Sequence, residues 1–284
     1  MTFDEGFSRG LDPAVWTPAY LPAWSSRAEA AATWSVADDG LHLTIPPAQP
    51  LWCAGDHHPP LRVSGVQSGN RSGPVGSTDG QQPFRAGQRV REEQPTVLGF
   101  TPHHGTVEVE SRARIGPSAM FSAWLVGLED APERCGEICL VEVFGDTVEG
   151  SRAAVGCGIK AFRDPALVDE FAAVPHDLDV TTWHRWTVHW RPGRVELAID
   201  GVPTRACEQA PDYPVQLMIA VFDFPEHPGH VAFAIDGVPT RTCHEAPDYP
   251  VQLMIAVFDF PEHPAHDPAD VPELVVRRVQ YHQP

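Results

Sequence analysis

The sequence holds a single lysine, Lys160; every other basic residue in its twenty is arginine. Asp and Glu number 38, so the formal charge at pH 7 is −18. A chain this short of positive charge repels phosphate backbones and anionic lipid, which excludes nucleic acid and membrane surfaces as partners. Long apolar runs are also missing: none approaches the ~20 residues of a bilayer-spanning helix. The opening residues Met1-Thr2-Phe3-Asp4-Glu5-Gly6-Phe7 show no basic stretch followed by an apolar one. No export signal is therefore visible, and the expectation is a cytoplasmic protein, or a secreted one with a trimmed N-terminus. Cys53, Cys135, Cys139, Cys157, Cys207 and Cys243 show no C-x-x-C spacing and are read as reduced thiols.

Proline (30) and glycine (23) are plentiful. One lacks a backbone donor and the other raises the entropy cost of ordering, so long helices are disfavoured. The 284 residues, 42% of them apolar, are ample for a buried core. What the sequence does contain is short strands. Leu41 to Ile45 and Thr106 to Ile115 alternate apolar and polar residues. Phe121 to Leu128, Ile138 to Phe144 and Trp183 to Trp190 have the length of buried strands, with Trp186, Val188 and Trp190 on one face of the last. Residues 164–173 are expected to form one short helix. The Gly, Ser, Gln and Pro of residues 64–83 read as a long loop, either a mobile surface segment or a cleft wall. Many short strands separated by turns predict an all-β, two-sheet sandwich or barrel, one domain over residues 1–284.

Residues 198–230 recur at 234–266, an offset of 36, and only four of 33 pairs differ: Ala206/Thr242, Glu208/His244, Gln209/Glu245 and Gly229/Ala265. Two units are too few for a solenoid, so this reads as a tandem duplication of one strand-turn-strand unit. A sandwich has room for one copy in its native place, and the other is surplus. Asp223 and Asp259 lie in the duplicated Val-Phe-Asp-Phe-Pro, and one of them is expected to edge a cleft.

The segment Glu137-Ile138-Cys139-Leu140-Val141-Glu142 sets two carboxylates in an apolar strand, where burial is costly unless they have partners or a task. Strict alternation puts Glu137 and Cys139 on one face and Glu142 on the other. A one-residue β-bulge between 139 and 142 returns Glu142 to the face of Glu137. Two Glu in one cleft suit glycoside chemistry, one attacking the sugar and the other exchanging the proton. The His pairs His57-His58, His103-His104, His227/His230 and His263/His266 have no further ligands at defined spacing, so no metal is expected.

Gly136 to Gly145 resembles the bulged E-x-D-x-x-E strand of glycoside hydrolase family 16. Phe3-Asp4-Glu5 with Leu11-Asp12 and Trp16 is similar to that family's N-terminal entry. Residues 106–115 followed by Ser122-Ala123-Trp124-Leu125-Val126-Gly127 resemble its next two strands. His184-x-Trp186 to Trp190-Arg191-Pro192-Gly193, then Ile199-Asp200-Gly201, resembles its later hairpin. The resemblance implies a two-sheet, concanavalin A-like jelly roll that hydrolyses internal β-linked glucan or galactan bonds with retention. It implies Glu137 as nucleophile and Glu142 as acid/base. The middle Asp of the motif, which hydrogen-bonds the nucleophile, is Cys139 here, and a thiol is a weak donor. That departure opens an alternative, a non-catalytic carbohydrate-binding protein on the same fold. Trp124, Met120, His184, Trp186 and Trp190 are the substrate-binding candidates the resemblance implies, with Trp52 and Trp183 weaker ones. No organic cofactor is implied; a structural calcium occurs in parts of the family, without a diagnostic ligand run here. The expected partner is a carbohydrate, and the oligomeric state is left open.

Overall fold

A computed structural model describes residues 2–224, 234–235, 238–239 and 271–282. The first strands are β1 (Thr2–Glu5), β2 (Thr33–Ala37), β3 (Gly40–Thr44), β4 (Arg62–Gln67), β5 (Gly69–Asn70) and β6 (Val97–Leu98). The middle of the chain supplies β7 (Gly105–Arg114), β8 (Ala119–Gly127), β9 (Glu137–Phe144), β10 (Ala153–Lys160), β11 (Glu170–His176) and β12 (His184–Arg191). Then come β13 (Arg194–Ile199), β14 (Val202–Cys207), β15 (Val215–Asp223), the short β16 (Ala234–Ile235) and β17 (Val238–Pro239), and β18 (Glu273–His282). Two antiparallel sheets dominate. One runs β14-β13-β12-β7-β18-β3-β2 with β1 also on β18; the other runs β11-β10-β9-β8-β15-β4.

The sheets pack through the alternating apolar positions read from sequence. On β8 and β9, Phe121, Ala123, Leu125, Ile138, Val141 and Val143 are buried on the face turned to the first sheet, where Phe121 meets Trp186 at 6.2 Å between ring centroids. At roughly 25 cal/mol per Å² of apolar surface removed from water, such rows supply most of the favourable free energy of folding. The opposite face of the second sheet also lies buried, and it carries the polar groups described below.

Two expectations are corrected. Residues 164–173 form no helix: residues 162–166 turn, and β11 pairs in register with β10, Ala172 opposite Cys157. Local helix preference yields there to the ladder, which satisfies every donor of an edge strand on one side. Residues 64–83 are not a mobile loop. They begin inside β4, continue through β5 and then form a packed wall in which Ser68, Asn70, Gln81 and Gln82 are buried. Side-chain bonds replace an apolar core in this wall: Gln67 Nε2 donates to Gly69 O at 2.8 Å, and Gln82 N donates to Glu129 Oε1 at 2.5 Å.

Copy one of the duplication fills the sandwich. It provides the end of β13, all of β14, and β15, which pairs with both β8 and β4. Most of copy two, including Cys243 and Asp259, lies outside the described residues. So do His227, His230, His263 and His266. Asp223 is buried and paired with Arg62 at 2.7 Å across β15 and β4, which accounts for a carboxylate inside a strong strand.

Candidate active site

On β9, Ala123 of β8 pairs with Val141 while the next residue, Trp124, pairs with Cys139, so Leu140 is an extra residue. The same insertion shows against β10, where Gly158 faces Cys139 and Gly156 faces Glu142. The bulge switches the parity of the strand. Glu137, Cys139 and Glu142 therefore share the face turned away from the first sheet. Trp124, Ser122 and Met120 of β8, and Met218, Ala220 and Phe222 of β15, stand on that face by register.

Lys160 is the cross-strand partner of Glu137. Its Nζ lies 3.3 Å from Glu137 Oε1 and donates to Glu142 Oε2 at 2.9 Å. Reaching Glu142 takes the side chain past two positions of β10 that share its face, Gly158 and Gly156, which have no side chain to obstruct it. Gly158 is also required by the backbone: its φ is +134°, and an added Cβ would sit 2.2 Å from Glu170 O. The ammonium rests 4.2 Å from the Phe171 ring centroid, on the neighbouring strand.

All three charged groups are buried, Glu137 completely. Residues 17–24 run across this face and are pinned to it. Thr17 and Gln67 exchange both backbone hydrogen bonds, and Leu21 N donates to Gln67 Oε1 at 3.1 Å. Tyr20 meets Phe222 edge-on at 5.0 Å and Trp52 at 5.1 Å, and lies 6.5 Å from Trp124. Among the described residues, neither oxygen of Glu137 has a hydrogen-bond partner, the Lys160 contact at 3.3 Å being an ion pair only.

Burial pushes the Glu137 carboxyl up to about 7; Lys160 opposes that rise, and the Glu142 charge adds to it. Burial works against the Lys160 ammonium, but the charges of Glu137 and Glu142 outweigh it and raise its pKa. Burial also drives the Cys139 thiol well above its ordinary value, which makes it an inert thiol rather than a nucleophile. Among the described residues its thiol donates to Gly156 O, not to Glu137.

The structure thus brings together Glu137, Cys139, Glu142, Trp124 and Met120. It places three other expected substrate residues elsewhere. Trp186 is in the core between the sheets, its Nε1 donating to Ser111 Oγ at 2.8 Å. Trp190 is buried against His104, with Nε1 donating to Pro211 O. His184 joins Asp200 at 2.7 Å and Asp179 O at 2.9 Å, a structural clamp at the start of β12. Their strand belongs to the first sheet, which a sequence pattern of alternation does not specify. The Arg277 and Arg112 guanidiniums lie 3.7 and 4.9 Å from the Trp183 ring centroid. Sequence reasoning missed Lys160, although its being the sole lysine was a visible signal, and it missed Tyr20.

No protein-family model matches the chain, and no curated protein matches it in sequence. Solved structures do match in shape. A GlcNAcα1-4Gal-releasing endo-β-galactosidase from Clostridium perfringens superposes over 98% of this chain with a TM-score of 0.71 at 18% identity. The chain spans 61% of that protein's length. A Bacillus licheniformis β-glucanase matches over 100% of this chain and 98% of its own, with a TM-score of 0.56 at 12% identity. The fold is the jelly roll of the β-glucanases. The Crh5 transglycosylase shares it over 99% of this chain and 84% of its own, with a TM-score of 0.53 at 16% identity. Within the jelly roll, the bulged strand β9 lies near the middle of its sheet, flanked by β8 and β10.

Proposed function

We propose that this jelly-roll protein is a retaining glycosidase acting on internal bonds of a β-linked glucan or galactan, with Glu137 as nucleophile and Glu142 as acid/base. The observation that carries the reading is the bulge at Leu140, which sets both carboxyls on one face and close enough to share a single ammonium. Retaining pairs stand roughly 5–5.5 Å apart, and inverting pairs roughly 6.5–9.5 Å. Two oxygens within 3.3 and 2.9 Å of one nitrogen support the closer class. The residue pattern resembles family 16, and the similar solved structures include an endo-β-galactosidase and a β-glucanase.

In this reading Glu137 attacks the anomeric carbon while Glu142 gives its proton to the departing glycosidic oxygen. Glu142 then takes a proton from water, the water oxygen attacks the glycosyl-enzyme ester, and Glu137 is released as carboxylate. No cofactor enters these steps. The closed site starts from a different arrangement. Burial favours the proton on Glu137, the group that must be charged to attack. Substrate also reaches the pair only when the segment bearing Tyr20 leaves Trp124 and Phe222.

Those features, with Cys139 in place of the motif Asp, favour a second reading: a carbohydrate-binding protein without turnover. The deciding experiment is product release from β-glucans, agars, carrageenans, xyloglucan and mucin-type galactosides, with Glu137→Gln as control. Release that disappears in the variant supports the enzyme and names its substrate. Sugar binding without release, equal in both proteins, supports the second reading.

A further inference from the structure

Away from the carboxylate pair, the fold joins two loops that are remote in sequence. Residues 99–104 lead into β7 and residues 208–214 lead into β15, and Val215 N donates to Pro102 O at 3.0 Å across them. His103 and His104 project from the first loop and Asp212 from the second. His103 Nε2 lies 3.0 Å and His104 Nε2 3.4 Å from the same oxygen, Asp212 Oδ1. The ligand atoms of the three residues all fall within 4.8 Å of one another. Donors held 2.0–2.2 Å from one ion stand roughly 2.8–3.6 Å apart in octahedral or tetrahedral geometry, so the two imidazole–carboxylate spacings are those of ligands on one centre.

The geometry points to a divalent transition-metal site at His103, His104 and Asp212, completed by solvent. Two imidazoles and one carboxylate suit Zn²⁺, Co²⁺, Ni²⁺ or Cu²⁺; Ca²⁺ takes oxygen ligands and is not favoured. The ligands are held from behind. The His104 ring packs edge-on against Trp190 at 4.9 Å, and Tyr281 Oη donates to its carbonyl at 2.6 Å. Trp190 Nε1 donates to Pro211 O at 3.0 Å, next to Asp212. His104 Nε2 is buried and, among the described residues, has no hydrogen-bond partner of acceptable geometry. The chain's charge of −18 draws cations to its surface.

The site lies one residue from a contact with the carboxylate strand. Tyr213, next to Asp212, accepts a hydrogen bond from Gly136 N at 2.7 Å and donates to Asp164 Oδ2 at 2.6 Å. An ion cross-linking the two loops would fix Tyr213, and through it the start of β9, immediately before Glu137. The site needs no assumption about glycoside chemistry.

The test uses the full chain, purified without an affinity tag and stripped with chelator. Zn²⁺ is titrated by competition with a chromophoric chelator, and Co²⁺ by its visible absorption. The expected result is one equivalent bound, a melting temperature raised by the ion, and affinity weakened at least tenfold in Asp212→Asn and in His104→Asn. Asn tolerates the positive φ of 61° at His104, and the melting temperature in chelator shows that each variant is folded. A wild-type protein that binds no stoichiometric ion overturns the proposal. So does undiminished binding in both folded variants, which would place the ion elsewhere on the chain.

Discussion

Lys160 Nζ donates to Glu142 Oε2 at 2.9 Å while remaining the register partner of Glu137. One ammonium balances one carboxylate, so the site favours a proton on the second. In the family the sequence resembles, an Asp stands between the two Glu. Here that position is a neutral thiol, and the charge that orders the pair comes from the adjacent strand.

Removing that charge tests the arrangement. Lys160→Met leaves a buried carboxylate unpaired and should lower stability by about 3–5 kcal/mol at pH 8. The loss should shrink toward pH 4.5, where Glu137 holds its proton and the site carries less negative charge to balance. Urea unfolding at both pH values reads this, and an equal loss at the two would contradict it.

The Glu137 shift has a sign that can be checked. Its folded value of about 7 lies above the ordinary glutamate value of 4.5, so the folded state holds the proton more tightly. Its contribution to stability is fully present below pH 4.5 and is lost as pH rises to about 7. Glu137→Gln removes that slope, and the variant should gain on wild type across this window. At about 1.4 kcal/mol per unit, the gain is on the order of 3 kcal/mol. A constant difference from pH 4 to 8 would show that Glu137 is not the group titrating.

For turnover the same group acts in the opposite direction. In the proposed mechanism Glu137 must be ionised to attack, so kcat/KM should rise with pH through about 7. Glu137→Gln should lose at least a hundredfold. A profile already flat from pH 5 would mean that opening the site to substrate restores an ordinary carboxyl.

Cys139→Asp restores the motif of the resembled family and adds a third carboxyl beside one ammonium. Stability should fall by a few kcal/mol at pH 8 and recover toward pH 4.5. If the motif Asp assists the nucleophile, turnover per folded molecule should rise. Unchanged turnover would assign that assistance to Lys160.

The duplication predicts a tolerated deletion. Removing residues 198–233 brings copy two to the end of β13. It restores every residue of β14 and β15 except Ala206, which becomes Thr; the other three changes fall outside these strands. The shortened chain should be monodisperse in size-exclusion chromatography and melt close to the full chain. Aggregation of the deletion beside a soluble full chain would mean that the second copy is needed.

Much of the jelly roll was legible because its signals are local. Period-two alternation gave the strands around 41–45 and 106–115, and apolar runs gave β8, β9 and β12. The residue order Glu137, Cys139, Glu142 showed only that a bulge would give the two Glu one face; the resemblance to the family's bulged strand was the reason to expect it. Residues 164–173 misled because their Ala, Leu and Glu favour a helix locally, whereas the strand state from Glu170 onward comes from pairing with β10. Trp186 and Trp190 misled because an aromatic stripe looks the same whether it faces a sugar or the opposite sheet.

By itself the sequence determined the strands, the duplication, the acidity and the carboxylate pair, because each is written in neighbouring residues. Tertiary structure decided what those groups meet. It set Lys160 opposite Glu137 and let it reach Glu142 along a glycine lane, laid Tyr20 against Trp124 and Phe222 on the same face, and carried Asp212 to His103 and His104. The physical reason is that pKa values, ion pairs and metal geometry depend on distances of 3–4 Å in space, and strand pairing makes such distances between residues far apart in the chain.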